Sequence, residues 1–183
     1  MSLSKLVVSK KTVFTVEDLS KIFEISNRGY LKVLLLRVLK RKEILRIKRG
    51  VYAYSKEYNR FELANKLKRP SYVSFERVLY ENGVIFQDMS NTITSISNNS
   101  YSETIDAVNF QYFKIKNEIL YNPVGVLEVH GVRIASIERA ICDTIYLSKK
   151  YYFDNLNNVH LDKLKSLSRI YNKRTMQEVE KIC

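Results

Sequence analysis

Residues 15–54 read TVEDLSKIFEISNRGYLKVLLLRVLKRKEILRIKRGVYAY. Thr15 suits a helix N-cap, because its hydroxyl can accept one of the backbone N–H groups left over in a first turn. Asp18 follows at capping-box spacing, and Glu17 with Asp18 puts negative charge at the positive end of the helix dipole. Val16, Leu19, Ile22 and Phe23 share one face, which predicts a short amphipathic helix. Ser26 and Asn27 offer a second cap, and a longer helix is expected from about Arg28 to Lys42 with Leu31, Leu35, Val38 and Leu39 buried. Gly29 is a weak helix former in its first turn. Glu24–Ile25–Ser26 alone separates the two helices, the spacing of a helix-turn-helix. Leu34, Leu35 and Leu36 cannot all face one core, because neighbouring helical residues point about 100° apart. Leu34 or Leu36 is therefore expected to meet the second domain or a partner.

Two strand-like runs follow, Ile44–Ile47 and Val51–Tyr54, joined at Lys48–Arg49–Gly50, where Gly50 supplies the permissive backbone of a tight hairpin. A basic hairpin directly behind the second helix is a wing, so a winged helix-turn-helix is predicted. Glu43 is the one acid between Arg28 and Arg49. Such a face suits double-stranded DNA: cations neutralise phosphates and release counterions, while the start of the helix reaches base edges in the major groove. Asn27, Arg28, Tyr30 and Lys32 are the candidates for approaching bases. Arg37 and Lys40 would run along the backbone, and Arg46, Lys48 and Arg49 would set the wing on phosphate or in a minor groove. A solvated basic face, with Tyr30 as a core-edge aromatic, is the plainer reading of the same residues. The helix, the wing and a localised charge excess together favour DNA.

That excess is local. Residues 1–60 carry 15 basic and 5 acidic side chains, whereas residues 61–183 carry 16 and 14. Nucleic acid and an anionic membrane surface are the two partners such polarity suits. The membrane surface is the weaker candidate, because the basic helix needs its apolar face for its own core. With 45% hydrophobic and 27% charged residues the 183-residue chain is expected to build a proper core. No run of apolar residues reaches the roughly 20 of a membrane span, and the first residues lack a secretory signal's apolar stretch. Cys142 and Cys183 form no disulfide framework or zinc spacing, so a cytoplasmic location is expected.

Beyond the wing, helices are predicted at Phe61–Leu67, Ser74–Tyr80, Ser136–Leu147, Leu161–Tyr171 and Thr175–Ile182. Strands are predicted at Val84–Gln87, Thr92–Ser97, Thr104–Val108, Phe110–Lys116 and in a Val124–Ala135 hairpin. The expected class is α+β, with a winged head at 1–58 and a mixed α/β domain with a largely antiparallel sheet at 59–183. Catalytic signals are few. His130 and His160 are explained by a turn and a helix cap, and no phosphate loop or nucleophile elbow occurs. Glu138 and Asp143, five residues apart, share a helix face poorly, so Glu138 near the helix start and Arg139 in an ion pair are preferred to a metal site. No metal, no cofactor and no enzymatic activity are expected.

The order of the segments resembles the AbiEi-type antitoxins, a family of predicted regulators of viral-defence systems. The resemblance is carried by Phe14–Leu19 and by Leu39–Ile47 leading into Lys48–Arg49–Gly50–Val51–Tyr52. In the body it continues through Leu63–Ala64, Pro70–Ser74, Gly83–Val84–Ile85, Ile134–Ala140 and Asp143, and so spans about residues 13–147. It implies a repressor that binds inverted repeats in its own promoter. It also implies a second domain that antagonises a nucleotidyltransferase-like toxin in the type IV manner, without a stable complex. A weak homo-oligomer on DNA is compatible with that picture. Where the family often carries a Gly between second helix and wing, this chain has Lys42–Glu43. Two alternatives stay open: a winged-helix regulator without a toxin, whose second domain senses a ligand or dimerises, and a nuclease that docks DNA through its head. Contact of the body with DNA through Lys149, Lys150, Lys173 and Arg174 is a further open point.

Overall fold

Thr15 and Asp18 form the capping box their spacing predicts: the Thr15 hydroxyl accepts the Asp18 N–H at 3.1 Å, and Asp18 accepts the Thr15 N–H at 2.8 Å. This detail comes from a computed structural model that describes residues 4–148 and 151–183. The cap starts helix α2 (Val16–Phe23), preceded by α1 (Ser4–Val8) and strand β1 (Val13–Thr15). Helix α3 (Arg28–Lys40) follows, then β2 (Leu45–Lys48), β3 (Val51–Ala53) and α4 (Arg60–Leu67). The three strands form an antiparallel sheet in the order β1-β3-β2, with Gly50 at φ 83° in the hairpin turn.

Helix α3 ends two residues before its expected end. Lys42 takes a left-handed φ of 59°, its N–H donates to Leu39 O at 2.9 Å, and the Glu43 N–H donates to Val38 O at 3.0 Å. This is a Schellman closure, in which glycine usually occupies the Lys42 position. Leu31, Leu35 and Val38 are buried as expected, Leu39 half-buried, and Leu36 exposed. They pack with Leu6, Phe14, Leu19, Ile44 and Tyr52. Each such side chain contributes roughly 1.5–3 kcal/mol on burial.

The chain divides at Leu67/Lys68 into two compact units, later than the expected boundary after residue 58. Helix α4 is tied into the first unit by long-range polar contacts. Glu62 accepts the Thr12 N–H at 2.7 Å and its hydroxyl at 2.8 Å, and Lys66 pairs with Asp18 at 2.8 Å.

In the second unit come β4 (Ser71–Val73), α5 (Glu76–Glu81), β5 (Thr92–Ser97), β6 (Tyr101–Ile105) and β7 (Val108–Lys114). Then follow α6 (Asn117–Leu120), β8 (Val126–Val129), β9 (Val132–Ala135), α7 (Ile137–Leu147), α8 (Leu161–Ser168) and α9 (Lys173–Ile182). The sheet order is β6-β7-β5-β4-β9-β8. The pairs β6/β7, β5/β4 and β9/β8 are antiparallel, while β7/β5 and β4/β9 are parallel. The class is α+β, and the sheet is mixed. Helix α7 meets α5, α8, α9 and β9, and Glu138 through Ile145 are buried without interruption.

Two predicted strands need correction. Val84 and Ile85 are buried but lie in a loop: the Val84 carbonyl accepts from Asp154 and Asn155, and the Phe86 N–H donates to Asp154, so no strand partner is engaged. The predicted strand 104–108 is broken at Asp106 and Ala107, both left-handed (φ 48° and 62°), which turn β6 into β7. Among the described residues no helix is long and apolar enough to cross a membrane.

Candidate nucleic-acid interface

Helix α3 starts at Asn27, whose Oδ1 accepts the Tyr30 N–H at 3.0 Å. Asn27 is thus the cap that the sequence offers for this helix, and its Oδ1 is engaged there rather than free for a base edge. Opposite the buried stripe, α3 exposes Arg28, Tyr30, Lys32, Val33, Leu36, Arg37 and Lys40. An open cleft of about 380 Å³ lies between α3 and the β2–β3 hairpin. Arg28 and Lys32 line it from the helix, Arg46 and Arg49 from the hairpin, and Leu35, Leu36 and Leu39 add apolar surface to its lining, Leu36 at an exposed position. Four of the nine sequence-predicted residues are thus gathered around one depression. Arg37 and Lys40 lie on the exposed face of α3 outside the cleft, Tyr30 is 57% exposed, and Lys48 is half-buried at the end of β2.

The acids of this unit are directed elsewhere. Glu43 pairs with Arg41 at 3.7 Å, Glu17 with Lys21 at 2.6 Å, and Glu24 with Lys5 at 2.9 Å. Burial pushes the Asp18 carboxyl up, but the Lys66 ammonium and the Thr15 N–H and hydroxyl outweigh it and bring Asp18 down to about 2. Among the described residues no carboxylate pairs with Arg28, Lys32, Arg37, Lys40, Arg46 or Arg49. Their charge faces solvent uncompensated, and polyanion binding is the chemistry such a face can perform.

The second unit has a charged cluster of another kind. Asp143, fully buried on α7, accepts from Tyr72 at 3.0 and 3.1 Å, from Ser74 at 2.7 Å and from Tyr171 at 2.7 Å. The Arg139 Nε is 3.7 Å away, and its other nitrogens donate to Val124 O at 2.8 Å, Ile119 O at 2.7 Å and the Tyr72 hydroxyl at 3.2 Å. The guanidinium lies 5.4 and 5.5 Å from the Tyr72 and Tyr171 ring centres. Burial pushes the Asp143 carboxyl up, against the Arg139 charge and the three hydroxyl donors. Sequence reasoning missed Tyr72, Ser74 and Tyr171, which lie far from α7 in the chain; the available signal was the i, i+4 spacing of Arg139 and Asp143.

The expected ion pair of Arg139 exists, with Asp143. Glu138 instead bonds Lys163 at 3.0 Å and the Ser136 hydroxyl at 2.9 Å. Burial opposes ionisation of Glu138, but its own backbone amide, Lys163 and Ser136 hold its carboxyl below the usual range. His130 sits in the β8–β9 turn at φ 50°, and His160 at the α8 N-cap position makes no side-chain cap. Among the described residues no three His, Cys, Asp or Glu side chains group where they could hold a metal ion. Arg174 donates to the carbonyls of Ile145, Tyr146 and Ser148 at the end of α7, and Lys173 is exposed; Lys149 and Lys150 lie outside the described residues. Neither a known protein family nor a curated protein matches this chain.

Proposed function

We propose that this chain is a transcriptional repressor that binds double-stranded DNA through an N-terminal winged helix. One observation carries the reading: Arg28 and Lys32 of α3 and Arg46 and Arg49 of the hairpin surround one cleft and have no acidic partner among the described residues. The element order α1-β1-α2-α3-β2-β3 with β1 beside β3 supports it, because a winged helix is connected in this way. Helix α3 would enter the major groove and the hairpin would lie on the flanking backbone.

The test is fluorescence anisotropy of the full chain on the DNA upstream of its own gene and on a scrambled duplex. If all six uncompensated cations meet phosphates, log K should fall with log salt at a slope of about −5, at roughly 0.9 per phosphate. Preference for the upstream duplex with such a slope supports repression of its own promoter. Equal and weak binding to both, nearly independent of salt, overturns it.

The resemblance to AbiEi-type antitoxins extends the proposal: a non-enzymatic cytoplasmic antitoxin that antagonises a nucleotidyltransferase-like toxin without a stable complex. The left-handed Lys42 supports this, because it takes a glycine's conformation where the family often carries Gly. Co-expression with a neighbouring nucleotidyltransferase-like gene should restore growth that the toxin alone arrests. Continued arrest with both proteins present would refute the antitoxin role and leave DNA binding standing.

A further inference from the structure

We infer that α3 reads its DNA site largely through the C5-methyl groups of thymine, using an apolar ridge made by Val33 and Leu36. The inference rests on the proposed DNA-binding role and names what that role recognises. At about 100° per residue, Gly29, Val33, Leu36 and Lys40 lie within about 60° of one another, opposite the buried Leu31, Leu35 and Val38. Val33 is 45% and Leu36 57% exposed, so both present apolar surface along one line of the helix. Cations flank that line on both sides, Arg28 and Lys32 toward the hairpin and Arg37 on the other edge. An apolar ridge between two basic edges matches a major groove, where base edges lie between two phosphate walls.

The chemistry of the ridge narrows what it can read. Gly29, Val33 and Leu36 carry no polar side-chain atom, and the Asn27 Oδ1 is taken by the Tyr30 N–H. Gly29 also has a structural reason to lack a side chain, since a Cβ there would stand 3.2 Å from that same Asn27 oxygen. With that oxygen engaged, the side-chain donors nearest the ridge are Arg28, Tyr30 and Lys32 at the start of the helix and Arg37 and Lys40 toward its end. Between those donors Val33 and Leu36 offer a base edge only apolar contact, and the thymine methyl is the apolar feature of the major groove.

The experiment selects duplexes from a randomised pool with the full chain, then resynthesises the selected site with deoxyuridine at each thymidine. Deoxyuridine keeps pairing, O4 and phosphates and lacks only the methyl. Substitution facing the ridge should weaken binding about three- to tenfold. In the Val33→Ser/Leu36→Ser variant the ratio between the two duplexes should fall to about one, with the salt slope unchanged. Specific binding that is equal for both duplexes overturns the inference and leaves the DNA-binding role intact. Absence of salt-dependent binding to any duplex overturns both. A variant that loses self-association in sedimentation yet keeps the wild-type ratio would make the ridge a contact between copies, and that too overturns the inference.

Discussion

Replacing Asp143 by Ala would leave the Arg139 guanidinium buried with no countercharge and would take the acceptor from Tyr72, Ser74 and Tyr171. Breaking a buried pair by removing one partner costs about 3–5 kcal/mol, out of the roughly 5–15 kcal/mol that holds a domain folded. Arg139→Met should cost a similar amount, since it strands a buried carboxylate and frees the carbonyls of Ile119 and Val124. The double variant Arg139→Met/Asp143→Leu removes both charges, so its loss should fall well short of the two single losses combined, with a coupling of at least about 2 kcal/mol. Urea unfolding followed by far-ultraviolet circular dichroism measures all three. The pH dependence adds a signed check. Burial already raises the Asp143 carboxyl above its ordinary 3.8, and without Arg139 it should rise further. A raised folded-state value means that stability is lost as pH climbs, so the Arg139→Met deficit should be larger at pH 8 than at pH 5. Single losses under about 1 kcal/mol, or strictly additive losses, would refute the view of a mutually dependent interior network.

Three further outcomes are expected. Arg46→Ala/Arg49→Ala should reduce the magnitude of the salt slope of DNA binding by about 2, read by anisotropy at four salt concentrations, because each lost phosphate contact removes about 0.9. Asp18, held at about 2 against an ordinary 3.8, should contribute about 1–2 kcal/mol after allowance for the solvent that reaches it. That contribution is complete above about pH 4 and lost as pH falls through 2, so thermal melts of Asp18→Asn and wild type should differ at pH 7 and converge below pH 2. Lys42→Gly should raise the stability of the first unit by about 0.5–1 kcal/mol in denaturant melts, since glycine adopts the left-handed backbone without steric cost.

The parts legible in the sequence are those governed by near neighbours. The capping box needs only Thr15 and Asp18, and the buried stripe of α3 only the spacing of Leu31, Leu35 and Val38. Contacts over long separations were illegible. Lys66 reaches Asp18 across 48 residues and moves the unit boundary past α4; Tyr72 reaches Asp143 across 71 and builds the interior network. Strands β1 and β4, three residues each, are too short to show alternation. Val84–Ile85 looked like a strand because burial makes a run apolar whether or not its backbone joins a sheet. The turn at Asp106–Ala107 has no glycine to announce it. In the candidate interface, composition pointed to the basic residues, and which of them share a cleft depends on how the hairpin folds beside α3.

The interior network also gives the molecule an optical property. The chain has 13 tyrosines and no tryptophan, so its near-ultraviolet spectrum is a phenol spectrum. Burial first, and then the Asp143 charge, hold the Tyr72 and Tyr171 hydroxyls well above 10. Their phenolate absorbance should therefore emerge only when the interior around α7 opens. The second unit carries its own colourless indicator, one that reports its opening with no label attached and no residue changed.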